Sequence, residues 1–122
     1  ESILYQEQVF LIKKVMLEIS KLNPSGSFIL FGSYAKKTFK EDSDIDLFYL
    51  GELKETEITK IKSIGKTYGK IINLKTATIQ KFENGLRKKD ALIIEILKYH
   101  FILHNQDLFI NALWGYYHEI RG

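Results

Sequence analysis

Cysteine is absent from this chain of 122 residues, and proline occurs once. Without cysteine the protein can form neither disulfide bonds nor a thiolate zinc site, and an intracellular setting is the simplest interpretation. No stretch resembles a signal peptide, and no apolar run reaches the roughly 18 residues of a membrane-spanning helix. These absences predict a soluble, cytoplasmic protein that does not engage a membrane.

The chain also lacks internal repeats, low-complexity segments and a linker rich in proline and glycine. Its length suits one hydrophobic core, so we expect residues 1–122 to form a single domain. The first residue is Glu1 rather than methionine, and we therefore expect a further segment before it in the full-length protein. The formal charge of +3 and the pI near 9.0 permit phosphate-bearing partners without requiring them.

Hydrophobic periodicity and turn residues predict strands that alternate with helices. The clearest break is NPSG at 23–26, where proline and glycine interrupt regular structure, and a helix precedes it. A second helix is predicted over 55–68, closed by Gly69, and a third over 79–88, interrupted at Asn84 and Gly85. Two more are predicted, over 91–98 with Asp90 as N-cap and over 107–118. Strands are predicted at 27–31, 44–50, 70–77 and 99–103, so the order indicates an α/β layer.

Asp44 and Asp46 begin a predicted strand that becomes wholly apolar toward Leu50. Because side chains alternate along a strand, both carboxylates face one side, while Ile45 and Leu47 face the other. Two adjacent carboxylates repel each other unless a cation neutralises them, and hard oxygen ligands suit Mg²⁺ or Mn²⁺. The pair therefore predicts a site for a divalent metal ion.

Gly32 and Ser33 follow a predicted strand and precede a short predicted helical stretch over 34–39. Glycine allows a ligand to approach the backbone closely, and the free N–H groups of a helix start favour an anion. The alternative role for Ser33 is an ordinary N-cap, and the two roles are compatible. With Lys36, Lys37 and Lys40 in the connecting segment, the two halves predict a site for a metal-bound triphosphate, although these lysines also suit a solvated surface.

The segment from Gly32 to Leu47, with GSYAKK followed by SDIDL, resembles the signature of the DNA polymerase β-like nucleotidyltransferase superfamily. More narrowly, it is similar to the small, single-domain minimal nucleotidyltransferases of bacteria and archaea. The resemblance implies an α/β (α+β) fold with a mixed β-sheet flanked by helices. It also implies transfer of a nucleoside monophosphate from an NTP, with ATP the expected donor, to a protein, RNA or small-molecule acceptor, with release of pyrophosphate.

The resemblance assigns Asp44 and Asp46 as catalytic metal ligands for Mg²⁺ or Mn²⁺, and Gly32, Ser33 and Lys36 as nucleotide-binding residues. Two positions depart from the family pattern. Lys37 stands where the small members usually carry glycine. The third carboxylate of active members, on a later strand, corresponds to Asn73, which can lend an oxygen to a metal but cannot accept a proton. Glu57, Glu83 and Glu95 occupy periodic solvent-facing positions of predicted helices and are not candidates.

Three functions remain open from the sequence. The first is an active nucleotidyltransferase, and the second is a nucleotide-binding regulator with weak or no catalysis, such as the antitoxin of a toxin–antitoxin pair. Asn73 discriminates between these two. The third is a DNA-associated regulatory domain that binds nucleic acid through the segment before Glu1. No helix-turn-helix signature within the chain supports it.

The aromatic C-terminal segment from Trp114 to Tyr117 has two interpretations. It can be a helix face packed on the sheet, or a surface for a partner, since aromatic side chains dominate interfaces. Small members of the family commonly pair with a helical, toxin-like protein. The sequence leaves the acceptor, the nucleotide preference and the formation of a homo-oligomer open.

Overall fold

The computed structural model describes residues 3–98, 100–104 and 110–113. In these ranges the elements follow in the order α1 (Ile3–Ser20), β1 (Ser27–Phe31), α2 (Gly32–Lys36), β2 (Ile45–Leu50), α3 (Glu55–Thr67), β3 (Ile72–Ala77), α4 (Ile79–Lys88), α5 (Ala91–Lys98) and β4 (Phe101–His104). Residues 110–113 are helical as well, within the predicted last helix. The remainder of that helix and the aromatic segment from Trp114 to Tyr117 lie outside the described residues.

The four strands form one mixed sheet in the order β3-β2-β1-β4. β1 pairs antiparallel with both β2 and β4, whereas β2 and β3 are parallel. Two parallel neighbours need a crossover connection, and α3 supplies it. The mixed α+β architecture predicted from the sequence is confirmed.

Helices cover both faces of the sheet because alternate residues of the central strands are buried on opposite sides. On one face, Ile45, Leu47 and Tyr49 of β2 pack in a cluster with residues of α1 and α3. On the other face, Phe48 and Leu50 of β2 pack with residues of α4 and α5. The two clusters fix β2 in the middle of the molecule, so the start of β2 is held rigidly at one end of the sheet.

The break predicted at 84–85 is wrong, because α4 runs without interruption from Ile79 to Lys88. Gly85 serves packing between helices here. A Cβ atom at Gly85 would lie 2.8 Å from Cγ1 of Ile93, so the missing side chain lets α5 approach α4 closely. Glycine in a helix interior costs about 0.5–1 kcal/mol relative to alanine, and this close helix contact offsets that cost.

Two predicted helix boundaries are confirmed, one by the bounds of α1 and one by hydrogen bonds at the start of α5. α1 ends at Ser20, just before the NPSG break. Asp90 caps α5, since its Oδ1 accepts hydrogen bonds from the backbone N–H of Leu92 at 3.0 Å and of Ile93 at 3.4 Å. Across the described residues, no helix has both the length and the apolar character needed to cross a membrane.

Candidate active site

Asp44 and Asp46 lie where β2 begins. Asp46 is the second residue of the strand, opposite Phe31 of β1 and Asn73 of β3, and Asp44 precedes the strand by one residue. Both carboxylates are half-buried, while Ile45 and Leu47 between and beyond them are completely buried on the opposite face. The alternation inferred from the sequence therefore holds, and the two acidic side chains share one face of the sheet.

Asn73 joins this pair from the neighbouring strand. Its side-chain amide Nδ2 lies 3.2 Å from Oδ2 of Asp44 and 3.2 Å from Oδ1 of Asp46. One neutral amide group thus donates to both carboxylates and offsets part of their repulsion. Asn73 is the residue that the family resemblance proposed for the third position of the site, and it contacts both carboxylates.

Gly32 closes the site from the side of β1. Its φ is +70°, and an added Cβ would lie only 2.2 Å from Oδ2 of Asp46. Any other residue would combine backbone strain with a clash against a carboxylate that β2 holds in place. Glycine at this position therefore brings the backbone of α2 directly beside Asp46.

The electrostatic environment of Asp46 disfavours its charged form. Burial is the largest cause that raises the pKa of the Asp46 carboxyl above its ordinary value, and the charges of Asp44 and Glu95 raise it further. The hydrogen bond from Asn73 and the positive charge of Lys36 act in the opposite direction without cancelling the rise. A site that keeps a carboxylate in surroundings that disfavour its charge is suited to a cationic ligand.

The helix after Gly32 differs in its bounds from the prediction of 34–39. α2 covers only Gly32 to Lys36, because Lys37 adopts the left-handed conformation with φ 61° and ψ 28°. That conformation costs a residue with a Cβ atom about 1–2 kcal/mol, so the end of α2 is a strained position for lysine. Ser33 is the second residue of the helix rather than its N-cap, which is Phe31, and the Phe31 side chain makes no capping hydrogen bond.

The three lysines of the predicted triphosphate site have different surroundings. Lys36 Nζ forms an ion pair with Glu95 Oε1 of α5 at 2.8 Å. Lys37 is the exposed C-cap of α2, and Lys40 is exposed in the loop before β2. Only Lys36 is connected to the carboxylates, since its charge acts on Asp46.

A buried lysine ties α2 to the loop that carries Asp44. Lys70 is 7% exposed, its Nζ donates to the backbone carbonyl of Glu41, and the same ammonium group lies 5.8 Å from the ring centroid of Tyr34. The Tyr34 hydroxyl donates in turn to Oε1 of Gln8 in α1. These contacts hold the Gly32 and Asp44 segments in a fixed relation.

The Asp46 carboxylate lines a cleft of ≈ 480 Å³. Asp46, Asn73 and Gly32 form one wall of this cleft, and Leu92 and Glu95 of α5 line it as well. Glu95 is a site residue that the sequence did not identify, because its helical spacing marks an ordinary solvent-facing position. Its place in the cleft depends on how α5 folds back over the sheet, which no local pattern signals.

The fold and this site define a class of α+β proteins with paired acids at the start of a central strand, and the sequence comparison identifies the family. A family model of the nucleotidyltransferase domain matches residues 12–114. The chain therefore belongs to the nucleotidyltransferase domain family, which confirms the resemblance inferred from the Gly32–Leu47 segment. Comparison with curated protein sequences gives no match.

Two solved structures share the fold. One is a toxin–antitoxin crystal structure with AMP-PNP, with a TM-score of 0.55 and 17% identity over 85% of this chain and 86% of that chain. The other is a mutant of the toxin–antitoxin MntA-HpeT, with a TM-score of 0.54 and 16% identity over 84% of this chain and 85% of that chain. At this identity the likeness establishes the fold alone.

Proposed function

We propose that this domain binds a divalent metal ion and an NTP, ATP in the first instance, and transfers the nucleoside monophosphate to an acceptor hydroxyl with release of pyrophosphate. The observation that carries the proposal is the meeting of Asp44, Asp46 and Asn73 beside the backbone of Gly32. The acceptor belongs to a protein, an RNA or a small molecule.

The donor set fits a hard divalent cation. Asp44 and Asp46 supply carboxylate oxygens that already converge on one amide group, and Asn73 can offer its own oxygen by turning that amide over. In proteins Mg²⁺ is commonly bound by one or two carboxylates, with water and substrate phosphates completing its shell. When bound, the metal would supply charge stabilisation for an in-line displacement at phosphorus.

Gly32, Ser33 and Lys36 are the groups we assign to the phosphates. The first N–H groups of α2 have no partner within the helix, and the side chain of the N-cap residue, Phe31, does not cap them. The Ser33 hydroxyl and the Lys36 ammonium group add a donor and a positive charge on the same short helix. A triphosphate beside Gly32 would also lie next to Asp46, because these two residues are in contact distance.

In the proposed reaction, the acceptor oxygen forms a bond with the α-phosphorus of the NTP. The bond from that phosphorus to the oxygen bridging to the β-phosphate breaks, and its electron pair leaves with pyrophosphate. The acceptor hydroxyl loses a proton in this step. Asn73 cannot take that proton, because an amide is not a base at neutral pH.

That limitation supports a second candidate, in which the domain binds metal and nucleotide but transfers slowly or not at all. Such a domain would act as a regulator, for example as the antitoxin of a helical, toxin-like protein. Two solved structures with this fold are toxin–antitoxin structures, one of them with AMP-PNP. Nucleotide binding is common to both candidates, and pyrophosphate release distinguishes them.

The test is a thermal unfolding titration with Mg²⁺ and ATP, compared with a double Asp44→Asn, Asp46→Asn variant. A ligand that binds only the folded state stabilises it by about 2.7 kcal/mol at a hundred times its Kd. We expect this gain in the unaltered protein and its loss in the double variant. Asp42→Asn is the matched control, because Asp42 is exposed two residues before Asp44. Equal responses of the unaltered protein and the double variant would refute the shared site.

A further inference from the structure

Glu95 occupies the cleft that Asp46 and Asn73 line, although it comes from a different layer of the molecule. It lies on α5, which packs on the sheet through Ile93 and Ile96. Leu92, one turn before Glu95, lines the same cleft, so this side of α5 faces the open end of β2 and β3. The Glu95 charge also acts on Asp46, which places the two carboxylates within electrostatic range of each other.

Glu95 is held in this position by Lys36. The ion pair has a distance of 2.8 Å, and each side chain retains little more than a third of its exposure, 36% for Lys36 and 37% for Glu95. Lys36 is also the residue assigned to the phosphates. A bound triphosphate therefore competes with Glu95 for the ammonium group, and its arrival leaves the Glu95 carboxylate available to another partner.

Glu95 does not complete a metal site. Among the described residues, no group of three His, Cys, Asp or Glu side chains lies close enough to hold one ion. Glu95 thus stands apart from the Asp44 and Asp46 pair, although it lines the same cleft as Asp46. An acceptor entering beside Asn73 would meet the α-phosphorus of an NTP held at the Asp44 and Asp46 pair, with the separate carboxylate of Glu95 lining the same cleft as Asp46.

We infer that Glu95 accepts the proton of the acceptor hydroxyl and so replaces the base that Asn73 cannot provide. This inference rests on the proposed transfer reaction. As the acceptor oxygen bonds to the α-phosphorus, its proton passes to an oxygen of Glu95, and pyrophosphate leaves with the electron pair of the broken bond. The protonated Glu95 then returns its proton to water.

The first test compares Glu95→Gln with the unaltered protein in pyrophosphate release from MgATP, with water and the hydroxyl side chains of the chain itself as acceptors. Loss of a positioned base typically lowers the rate by about 10²–10⁴-fold, so we expect kcat to fall at least about a hundredfold. The thermal stabilisation by MgATP should persist, since Glu95 is not a ligand of metal or phosphate. Glu52→Gln, at an exposed loop position, is the matched control and should leave kcat unchanged.

Two further variants separate a proton acceptor from a residue that only supports α5. Glu95→Ala should regain part of its rate on addition of formate, which can occupy the space and take the proton. In an Asn73→Asp background, Glu95→Gln should lower kcat by less than about tenfold, because the carboxylate introduced at position 73 provides a second base. A structural role would predict neither result.

The outcomes distinguish this inference from the proposed function. If the unaltered protein releases pyrophosphate no faster than Asp44→Asn, the transfer reaction and the role of Glu95 both fail. If it turns over and Glu95→Gln turns over equally fast, Glu95 is not the base although the transfer reaction stands. The role of Glu95 would also be overturned if Glu95→Gln lowers kcat equally in the Asn73→Asp and unaltered backgrounds and formate does not restore the rate of Glu95→Ala.

Discussion

The two ends of the β2–β3 pair are built to different requirements. At the end of β2, Phe48 and Leu50 are almost completely buried against α4 and α5, and apolar side-chain contacts support the hydrogen-bonded strands there. At the start of the same strands, Asp44 and Asp46 lie side by side and depend on the amide of Asn73 for partial neutralisation. Because the strands are continuous, the packing at the buried end also fixes the position of the two carboxylates at the other end.

The comparison shows that the energetically unfavourable part of the sheet is the end that carries Asp44 and Asp46. Nothing in the packing of the sheet requires two carboxylates on one face beside a glycine with φ +70°. Half-buried charges of the same sign lower stability unless a ligand of opposite charge arrives. The packed end should therefore respond to mutation through stability alone. The polar end should respond through binding and activity as well, and its effect on stability should depend on whether a metal ion is bound.

Phe48→Ala should have the largest effect on the packed end. Phe48 is 1% exposed, and its ring centroid lies 5.8 Å from that of Phe82 in α4. Removing a buried phenyl group costs about 3–5 kcal/mol through lost burial and the remaining cavity. We expect the free energy of unfolding, measured with urea, to fall by this amount while the gain on adding MgATP persists.

The matched control for this change is Phe10→Ala. Phe10 is 61% exposed on α1, so the same substitution there should alter the free energy of unfolding by no more than about 0.5 kcal/mol. Equal losses at both positions would show that burial does not distinguish the two phenylalanines. Loss of the MgATP response in Phe48→Ala would show that the two ends of β2 are not separable.

Asn73→Asp should have the largest effect at the polar end. The change adds a negative charge beside the proposed metal ion and a second base in addition to Glu95, so we expect pyrophosphate release from MgATP to rise by roughly ten- to a thousand-fold. Without divalent metal, the same variant should be less stable, because it loses the amide donor to Asp44 and Asp46 and adds a third like charge. Adding Mg²⁺ should restore its stability.

Asn84→Asp on α4 is the control, since Asn84 is exposed and its side-chain oxygen accepts from Arg87 at 2.8 Å. That variant should change neither the rate nor the metal dependence of stability. Rapid turnover by the unaltered protein with no gain in Asn73→Asp would show that another group already does the work expected of a carboxylate at position 73.

The sequence was sufficient to predict the features of the site that depend on local geometry. The common face of Asp44 and Asp46 follows from the two-residue period of a strand, which tertiary contacts do not change. The family resemblance, applied to the predicted strand at 70–77, was sufficient to propose Asn73 for the third position of the site, and the register of β2 and β3 brings it opposite Asp46. These inferences needed no knowledge of how the helices pack.

Features that depend on packing between layers could not be predicted. Glu95 reaches the cleft only because α5 folds over the sheet, and its spacing within the helix is that of any solvated residue. Gly85 indicated a break in α4, whereas its lack of a side chain admits Ile93 of α5. The early end of α2 depends on Lys37 in a left-handed conformation that lysine rarely adopts, so its residue type gave no signal.

Asp46→Asn should have the smallest effect and a sign opposite to that of most mutations. Burial, together with the charges of Asp44 and Glu95, raises the pKa of Asp46 in the folded state above its value in the unfolded chain. The folded state then holds the proton more tightly, so stability decreases as pH rises from the unfolded pKa through the higher folded pKa. Asparagine has no such penalty. Without divalent metal, Asp46→Asn should therefore be more stable than the unaltered protein at pH 7, with a smaller difference at pH 3.

We expect the gain at pH 7 to stay below about 1 kcal/mol, because the carboxyl is only partly buried and solvent screens its charge. Urea unfolding at pH 3 and pH 7, with Asp42→Asn as the exposed control, measures it directly. Saturating Mg²⁺ and ATP should reverse the order, since only the unaltered protein retains both carboxylates for the metal. If Asp46→Asn is instead less stable than the unaltered protein at pH 7 without metal, native contacts already compensate the Asp46 charge. The polar end of β2 would then contribute to the stability of the fold in the absence of a ligand, as the packed end does.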